Sequence, residues 1–599
     1  MTPELRFRST MAVLASILLL PSIAFASPPL VVCGDLPAYP PLAGNPAVVS
    51  VTATEQATGA GRAYCNVQLT WQDPELVGSA AGYADPPSAH SFQSIRIGIV
   101  LPLNTNTGDA AWGRRLVLTA GGGSQGSVPG LTRMISMTPA AVGAGTDSGH
   151  VGFDQTFWGV IVPPDTPVGL NFGKLKDWAG GRSNGVAVKL AKELAKTYYG
   201  QRVRRTYWDG CSGGGQMGLA SIMNYADEFD GAVIGAPSNH WQRLRLTNTF
   251  DRMVYKKVAQ LTTPLTTDQV RAASAAATAA CDAADGVTDG IVADPRACTW
   301  SAENNICGQP NAPDAPLCLD AIQAAGIDLT WDGPLNSHGL RMFPAYDRGV
   351  SRAVTTETFQ TMVPSLRWNH LDTTIDGTKL YLDRESIDLA AAAGADVNGA
   401  TTLEDEFLLA SRHVSDYADT ANVAALRRAR DRGVKVLMYH GTQDSLIFMR
   451  KSIDFYVETA AHFSRTSSPD FDRLKHWFRL FLTPGAGHCG NQYPGALDAV
   501  IDWVENRHAP DSLVSGGKVP KGCPFPQWAI YDGSGDTSDP NSYTCGGNLQ
   551  TKETICDTLR TPYKHEDARR LQSYGKYNAS ACKTNGHEHN HPWHWLGKR

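Results

Sequence analysis

No charge of one sign dominates this chain, and no basic stripe stands out along it. Lys and Arg number 53 against 58 Asp and Glu in 599 residues. That balance argues against nucleic acid as a partner, because phosphate binding needs a concentrated positive face. Beyond the first 26 residues no apolar run is long enough to cross a bilayer. The 12 cysteines include no Cys-x-x-Cys pair, which argues against a zinc knuckle or a redox dithiol. Core material is not scarce. With 14 Trp and 19 Tyr, the 58 Gly and 36 Pro suggest long ordered loops rather than disorder.

The start of the chain reads as an export signal. Arg6 and Arg8 precede the apolar run Met11 to Leu20, and Ala24-Phe25-Ala26 is a small-x-small cleavage site. Residues 1–26 would be removed, leaving no membrane segment in a secreted or periplasmic protein. Cys33, Cys65, Cys211, Cys281, Cys298, Cys307, Cys318, Cys489, Cys523, Cys545, Cys556 and Cys582 suit that oxidising setting. Their even number allows six bridges, and spacing alone does not give the connectivity.

Periodicity divides the chain. Residues 27–238 hold strand-like runs at Ser94 to Leu103, Arg115 to Thr119, Ala140 to Gly145, Val203 to Trp208 and Ala232 to Ile234. Between them lie an amphipathic helix at Asn184 to Tyr199 and a second helix at Gln216 to Tyr225. Alternating strands and helices predict a parallel sheet covered on both faces, an α/β fold. Residues 239–431 break the rhythm, with helical patches only at Thr267 to Ala283 and Ala421 to Asp431. The rhythm returns over 432–545, with strands at Lys435 to Tyr439 and Phe478 to Leu482. One core interrupted by a large inserted lid accounts for this, since such insertions sit over the ligand-binding edge of a sheet. Residues 546–599 form a polar tail ending in four closely spaced histidines, His587, His589, His591 and His594. Such a tail can bind a transition metal adventitiously or be merely solvated.

Chemistry concentrates at three places. Gly210, Ser212 and Gly214 form Gly-x-Ser-x-Gly between a strand and a helix, the setting of a nucleophile elbow. A serine nucleophile needs a base and an acid that orients the base. Asp444 follows the strand ending at Tyr439, and His488 follows the strand ending at Leu482. Ser212, Asp444, His488 is the order that α/β hydrolases use. His440 and Asp147 are lesser candidates. The run Ala120-Gly121-Gly122-Gly123 after a strand can present backbone N–H groups to an oxyanion, or be a flexible turn. Cys211 and Cys489 flank the proposed nucleophile and base, so a bridge between them would tie the two loops together. Farther on, Asp282, Asp285 and Asp289 lie on a glycine-punctuated loop. Hard oxygen ligands at this spacing favour Ca²⁺, with the carbonyls of Val287 and Ile291 completing the shell, although a solvated turn has the same composition.

These motifs together resemble the tannase/feruloyl esterase family, which includes mono(2-hydroxyethyl) terephthalate hydrolase. The resemblance rests on Gly210 to Gln216, Phe229 to Pro237, Cys281 to Ile291, Tyr439 to Asp444 and Pro484 to Cys489, with Cys523-Pro524-Phe525-Pro526 as a closing segment. It covers roughly residues 30 to 545. It implies an α/β-hydrolase core with a large inserted lid domain and a structural Ca²⁺ held by Asp282, Asp285, Val287, Asp289 and Ile291. It implies a Ser212–His488–Asp444 triad with oxyanion donors at Gly213 and Gly121. It also implies pairs Cys33–Cys65, Cys211–Cys489, Cys281–Cys298, Cys307–Cys318 and Cys523–Cys545. Cys556 and Cys582 remain as a sixth pair in a tail it does not cover.

The expected activity is hydrolysis of small or plant-polymer-derived aromatic esters by a serine carboxylic-ester hydrolase. The alternatives are a terephthalate-monoester hydrolase, a peptidase on the same fold, or a binding protein that kept the fold. Gly213 stands where the family often has Thr or Glu. The stretch from about 320 to 430 has no clear counterpart, and Trp331, Arg341, Arg367 and Trp368 are its candidates for pocket or core. Oligomeric state does not follow from the sequence.

Overall fold

A computed structural model describes residues 31–72, 94–151, 178, 180–239, scattered positions from 244 to 259, 261–292, 294–333, 346–350, 420–465, 469–490 and 492–548. The expected signal over 1–26, the histidine tail, Cys556, Cys582, Arg341, Arg367 and Trp368 lie outside the described residues.

Among the described residues a 3-10 turn (Cys33–Ala38) precedes a long hairpin, β1 (Val48–Ala57) and β2 (Ala63–Gln72), followed by β3 (Ser94–Pro102), β4 (Trp112–Thr119) and β5 (Ala140–Thr146). Next come α1 (Arg182–Tyr199), β6 (Arg205–Cys211), α2 (Gly213–Asn224) and β7 (Gly231–Gly235). After the insertion follow β8 (Lys435–Gly441) and β9 (Phe478–Thr483). These strands form one nine-stranded sheet in the order β1-β2-β3-β5-β4-β6-β7-β8-β9. Pairing is antiparallel from β1 to β5 and parallel from β5 to β9. The architecture is the α/β one that the sequence implies.

The central strands are buried along their whole length, and their sequences show it. Every residue of β5 and of β7 is buried, and neither alternates polar with apolar. A strand covered on both faces has no solvent side to mark. The covering helix α1 packs Ala187, Val188, Leu190, Ala191, Leu194, Ala195 and Tyr198 inward, and Gly200 ends it in the left-handed region at φ 66°. Unlike the central strands, β1 is mostly exposed, which leaves little hydrophobic signal along it.

Between β7 and β8 the chain builds a second hydrophobic cluster. It contains α3 (Thr267–Cys281), whose Val270, Ala273 and Ala277 face inward, and α4 (Ala321–Asp332), which supplies Ala324, Ile327, Leu329 and Trp331. Trp331, a candidate pocket residue, is thus a core side chain. It is 4% exposed, meets Trp300 edge-on at 6.1 Å and has the Arg348 guanidinium 5.7 Å from its ring centre. Helix α4, which hydrophobic patterning did not mark, opens on a capping box: Asp320 accepts from the N–H groups of Ile322 and Gln323, and the Gln323 side chain accepts from Asp320 N.

Two residues from beyond the insertion, Ile447 and Phe448, join this cluster. They precede α5 (Met449–His462). Phe448 meets Tyr346 edge-on at 4.5 Å, and Arg450 pairs with the buried Asp347. The loop after β8 is therefore anchored in the insertion's core.

Helix α6 (Ala496–Asn506), after β9, covers β7 and β8. Two small hairpins follow, β10 (Leu513–Val514) with β11 (Lys521–Gly522) and β12 (Trp528–Tyr531) with β13 (Tyr543–Gly546). Disulfides join Cys33–Cys65, Cys211–Cys489, Cys281–Cys298, Cys307–Cys318 and Cys523–Cys545. These are the five pairs that the family resemblance implied. Among the described residues no helix is long and apolar enough to cross a membrane.

Candidate active site

Ser212 stands at the turn from β6 into α2 with φ 63° and ψ −122°. A non-glycine residue held there stores roughly 1–3 kcal/mol of backbone strain. Three backbone hydrogen bonds hold it: Ser212 N donates to Gly235 O (2.9 Å), while Gln216 N (2.9 Å) and Ser238 N (3.2 Å) donate to Ser212 O. The Ser212 hydroxyl does not cap the helix. Gly213 is the first residue of α2, so its N–H has no acceptor within the helix.

The helix starts three residues earlier than its apolar spacing suggests. Three successive glycines cost about 1 kcal/mol each in a helix relative to alanine. Here backbone approaches too closely for side chains. A Cβ at Gly213 would lie 2.0 Å from Gly123 O, and one at Gly215 would lie 2.3 Å from Gly235 O. The glycine loop after β4 therefore rests directly on the elbow, which accounts for glycine at position 213.

That loop corrects one expectation. Gly121 N donates to Gln125 Oε1 (3.1 Å), so this N–H is engaged within its own loop and is not an open oxyanion donor. Gln125 is 2% exposed, and it also accepts from Ser148 Oγ (3.3 Å) and donates to Ser127 O (3.1 Å) and Thr146 O. A glutamine just after a glycine run was the available signal for this brace.

Asp444 and His488 meet. His488 Nδ1 lies 2.7 Å from Asp444 Oδ2. Their loops, which follow β8 and β9, are stitched together: Gln443 N donates to Ala486 O (2.9 Å), and Gly485 N to Thr442 Oγ1 (2.9 Å). The Asp444 side chain is fully buried and His488 keeps 14% exposure. Burial alone would raise the Asp444 pKa. The hydrogen bonds and positive ends of His440 and His488 outweigh it, holding the carboxyl well below the usual carboxylate range. The Cys211–Cys489 bridge, with Cα atoms 5.9 Å apart, joins the residue before Ser212 to the residue after His488. His440 also reaches Asp444 Oδ2, at 3.1 Å. Asp147, by contrast, is occupied by Arg96: Arg96 Nε donates to Oδ2 (2.8 Å) and Arg96 N to Oδ1 (3.0 Å).

The Asp282–Ile291 loop contains a short 3-10 turn and glycines at φ 90° (Gly286) and φ 78° (Gly290). The Asp282 carboxylate is buried and accepts from the N–H groups of Asp289, Gly290 and Ile291 at 3.0–3.2 Å. Asp289 Oδ1 accepts from the same Ile291 N–H (3.0 Å). Two carboxylates thus converge on one donor, an oxygen-only set that fits a hard cation in kind. Among the described residues no group of three ligating side chains assembles, and the side chain of Asp285 is not among them.

Comparison with known proteins places the chain in a family. The sequence profile described as "tannase and feruloyl esterase" matches residues 99–546. Feruloyl esterase B of Aspergillus niger is 25% identical over 473 residues, covering 72% of this chain and 81% of that protein. A probable feruloyl esterase B-1 of Aspergillus terreus is 27% identical over 415 residues, covering 62% of this chain and 71% of that protein. Among solved structures, feruloyl esterase B from Aspergillus oryzae superposes with a TM-score of 0.62 at 22% identity, over 83% of this chain and 96% of that one. Tannin acyl hydrolase from Aspergillus niger gives 0.65 at 20% identity, over 87% and 95%. With the profile spanning most of its length, this chain belongs to the tannase and feruloyl esterase family of carboxylic ester hydrolases.

Proposed function

We propose that this chain hydrolyses esters of aromatic carboxylic acids, hydroxycinnamates or gallates, through an acyl-enzyme on Ser212, and that it works outside the cytoplasm. Ser212 Oγ attacks the ester carbonyl while His488 Nε2 takes its proton. Asp444, bonded to Nδ1, holds the ring in that tautomer and stabilises the imidazolium. The Gly213 N–H donates to the oxyanion, and one such donor contributes roughly 3–4 kcal/mol at the transition state. His488 then hands its proton to the leaving alcohol. Water releases the acid by the same steps in reverse.

The observation that carries this reading is the 2.7 Å Asp444–His488 hydrogen bond in a loop bridged to the serine elbow. The aromatic acyl group rests on the relatives, three of which are named for feruloyl esters and one for tannin. Export rests on the export-like residues 1–26 and on five disulfides. We also propose that Asp282, Asp285 and Asp289, with the Val287 and Ile291 carbonyls, hold Ca²⁺, whose part is to neutralise the carboxylates and fix the loop.

Activity against gallate, ferulate and terephthalate monoesters, with an anilide alongside, tests the assignment. Ester turnover that disappears in Ser212→Ala, together with loss of fluorophosphonate labelling, is the expected result. A folded Ser212→Ala protein that still hydrolyses esters would overturn it.

A further inference from the structure

We infer that His440 is a positioning residue for the acid–base pair: its Nε2–H gives Asp444 Oδ2 a second hydrogen bond and so sets how firmly Asp444 holds the proton on His488. The inference rests on the roles proposed above for Asp444 and His488.

His440 lies near the end of β8 and is 0% exposed. Its Nε2 is 3.1 Å from Asp444 Oδ2 and 3.1 Å from Ile447 O. A carbonyl oxygen can only accept, so the proton sits on Nε2 and is shared between the two acceptors. On the other side of the ring, Nδ1 is 2.7 Å from Ser452 Oγ in α5. A serine hydroxyl can turn to donate to that nitrogen. The ring is therefore pinned between the acid loop and a helix, with one N–H aimed at the carboxylate.

Asp444 has no lone pair to spare. Oδ1 accepts from Leu446 N (2.8 Å) and Ile447 N (2.9 Å), and Oδ2 accepts from both histidines. His440 thus competes with His488 for one oxygen. Each donor that draws on the carboxylate's charge weakens its hold on the proton at His488 Nδ1. The charged groups on the facing helix are Arg450, Lys451, Asp454 and Glu458, with the titratable His462 at its far end. Arg450 is paired with Asp347 and lies in the field of Asp294 and Asp454, and Lys451 is buried beside Ser452. The groups that act on Asp444 itself are His440 and His488.

If His440 merely fills space, its replacement alters stability and leaves the pH profile where it was. If it positions and tunes, the profile moves in a stated direction. Losing the donor makes Asp444 more basic, so His488 stays protonated to higher pH and the acid limb of kcat/KM shifts upward. For the full chain hydrolysing a hydroxycinnamate ester, we expect H440L to move that limb up by about 0.5–1 pH unit with KM little changed. H440Q places an amide N–H where Nε2 was and is expected to return the limb toward wild type. Should H440L not fold, H440N replaces it, because its shorter amide falls away from Asp444 and is expected to shift the limb as leucine would. A folded H440L or H440N with an unmoved limb overturns the inference, as does H440Q shifted equally far. S212A run in parallel separates the two readings. An active S212A removes the proposed roles altogether, whereas an inactive S212A with an unmoved limb removes only the part given to His440.

Discussion

At the scale of single residues, what a pattern shows and what it hides differ for a physical reason. Ser212, Asp444 and His488 stand out because each follows its own strand, and β6, β8 and β9 run parallel within one sheet. Parallel strands end on one edge, so sequence order alone places these residues on the same rim. The state of Gly121 was hidden. Whether its N–H points outward depends on the Gln125 side chain four residues on, and periodicity says nothing of a rotamer. His440 stands out as a lesser candidate, but its contact with Asp444 is hidden likewise. Gly213 gives the sharpest residue-scale expectation. Replacing it with alanine drives a Cβ against the Gly123 carbonyl, a backbone atom that cannot swing away. Gly213→Ala should lower stability by roughly 1–3 kcal/mol. It should also cut kcat at least about tenfold, because a donor displaced by a fraction of an ångström serves the transition state poorly. Thermal melts and turnover of a ferulate ester measure both, and an unchanged kcat would show that the glycine loop yields without moving the elbow.

At the scale of elements, helix boundaries were legible where one face is apolar and obscure where backbone packing decides. Helix α1 shows its stripe of alanine, leucine and tyrosine openly. Helix α2 conceals its first turn, since three glycines read as a loop until the neighbouring carbonyls are seen. Helix α4 scatters Asp328, Thr330 and Asp332 among its apolar residues and carries no clear stripe, yet Asp320 and Gln323 mark its start. Asp320 accepts from two helix N–H groups and also accepts a hydrogen bond from the Thr262 hydroxyl, joining the helix to the preceding segment. Asp320→Ala should therefore destabilise by about 1–2 kcal/mol, the range of a strong N-cap. Asp320→Asn, which keeps an acceptor, should recover most of that loss. Denaturant titration of both variants against wild type checks the pair, and equal losses would mean that the carboxylate charge, not the cap, matters.

At the scale of the whole molecule, the insertion and the sheet share side chains rather than merely touching. Ile447 and Phe448 belong to the acid loop in sequence and to the insertion's core in space. Ile291, at the end of the acidic loop, packs with Val519 and Tyr543 of the C-terminal segment. Its side chain also lies against Gly485 of the base loop, where an added Cβ would come within 3.0 Å of it. Loss of a cation from the Asp282–Asp289 loop would leave carboxylates repelling one another at that junction. Exhaustive chelation should lower the melting temperature, and added Ca²⁺ should raise it in proportion to the logarithm of its concentration. A melting temperature indifferent to both would remove the proposed ion.

The bridge between Cys211 and Cys489 spans 278 residues of sequence and encloses the entire insertion. It also gives the molecule a topology. In the chain-entropy account, a closed loop of that length removes about 5–6 kcal/mol of freedom from the unfolded state. A protease that cuts once within this ring opens it without dividing the molecule, because both fragments stay joined at the elbow. Such a nicked protein would migrate as one species until its disulfides are reduced, then as two. The segment between β7 and β8 can thus suffer a break in the backbone while the serine and the histidine remain on one covalent body.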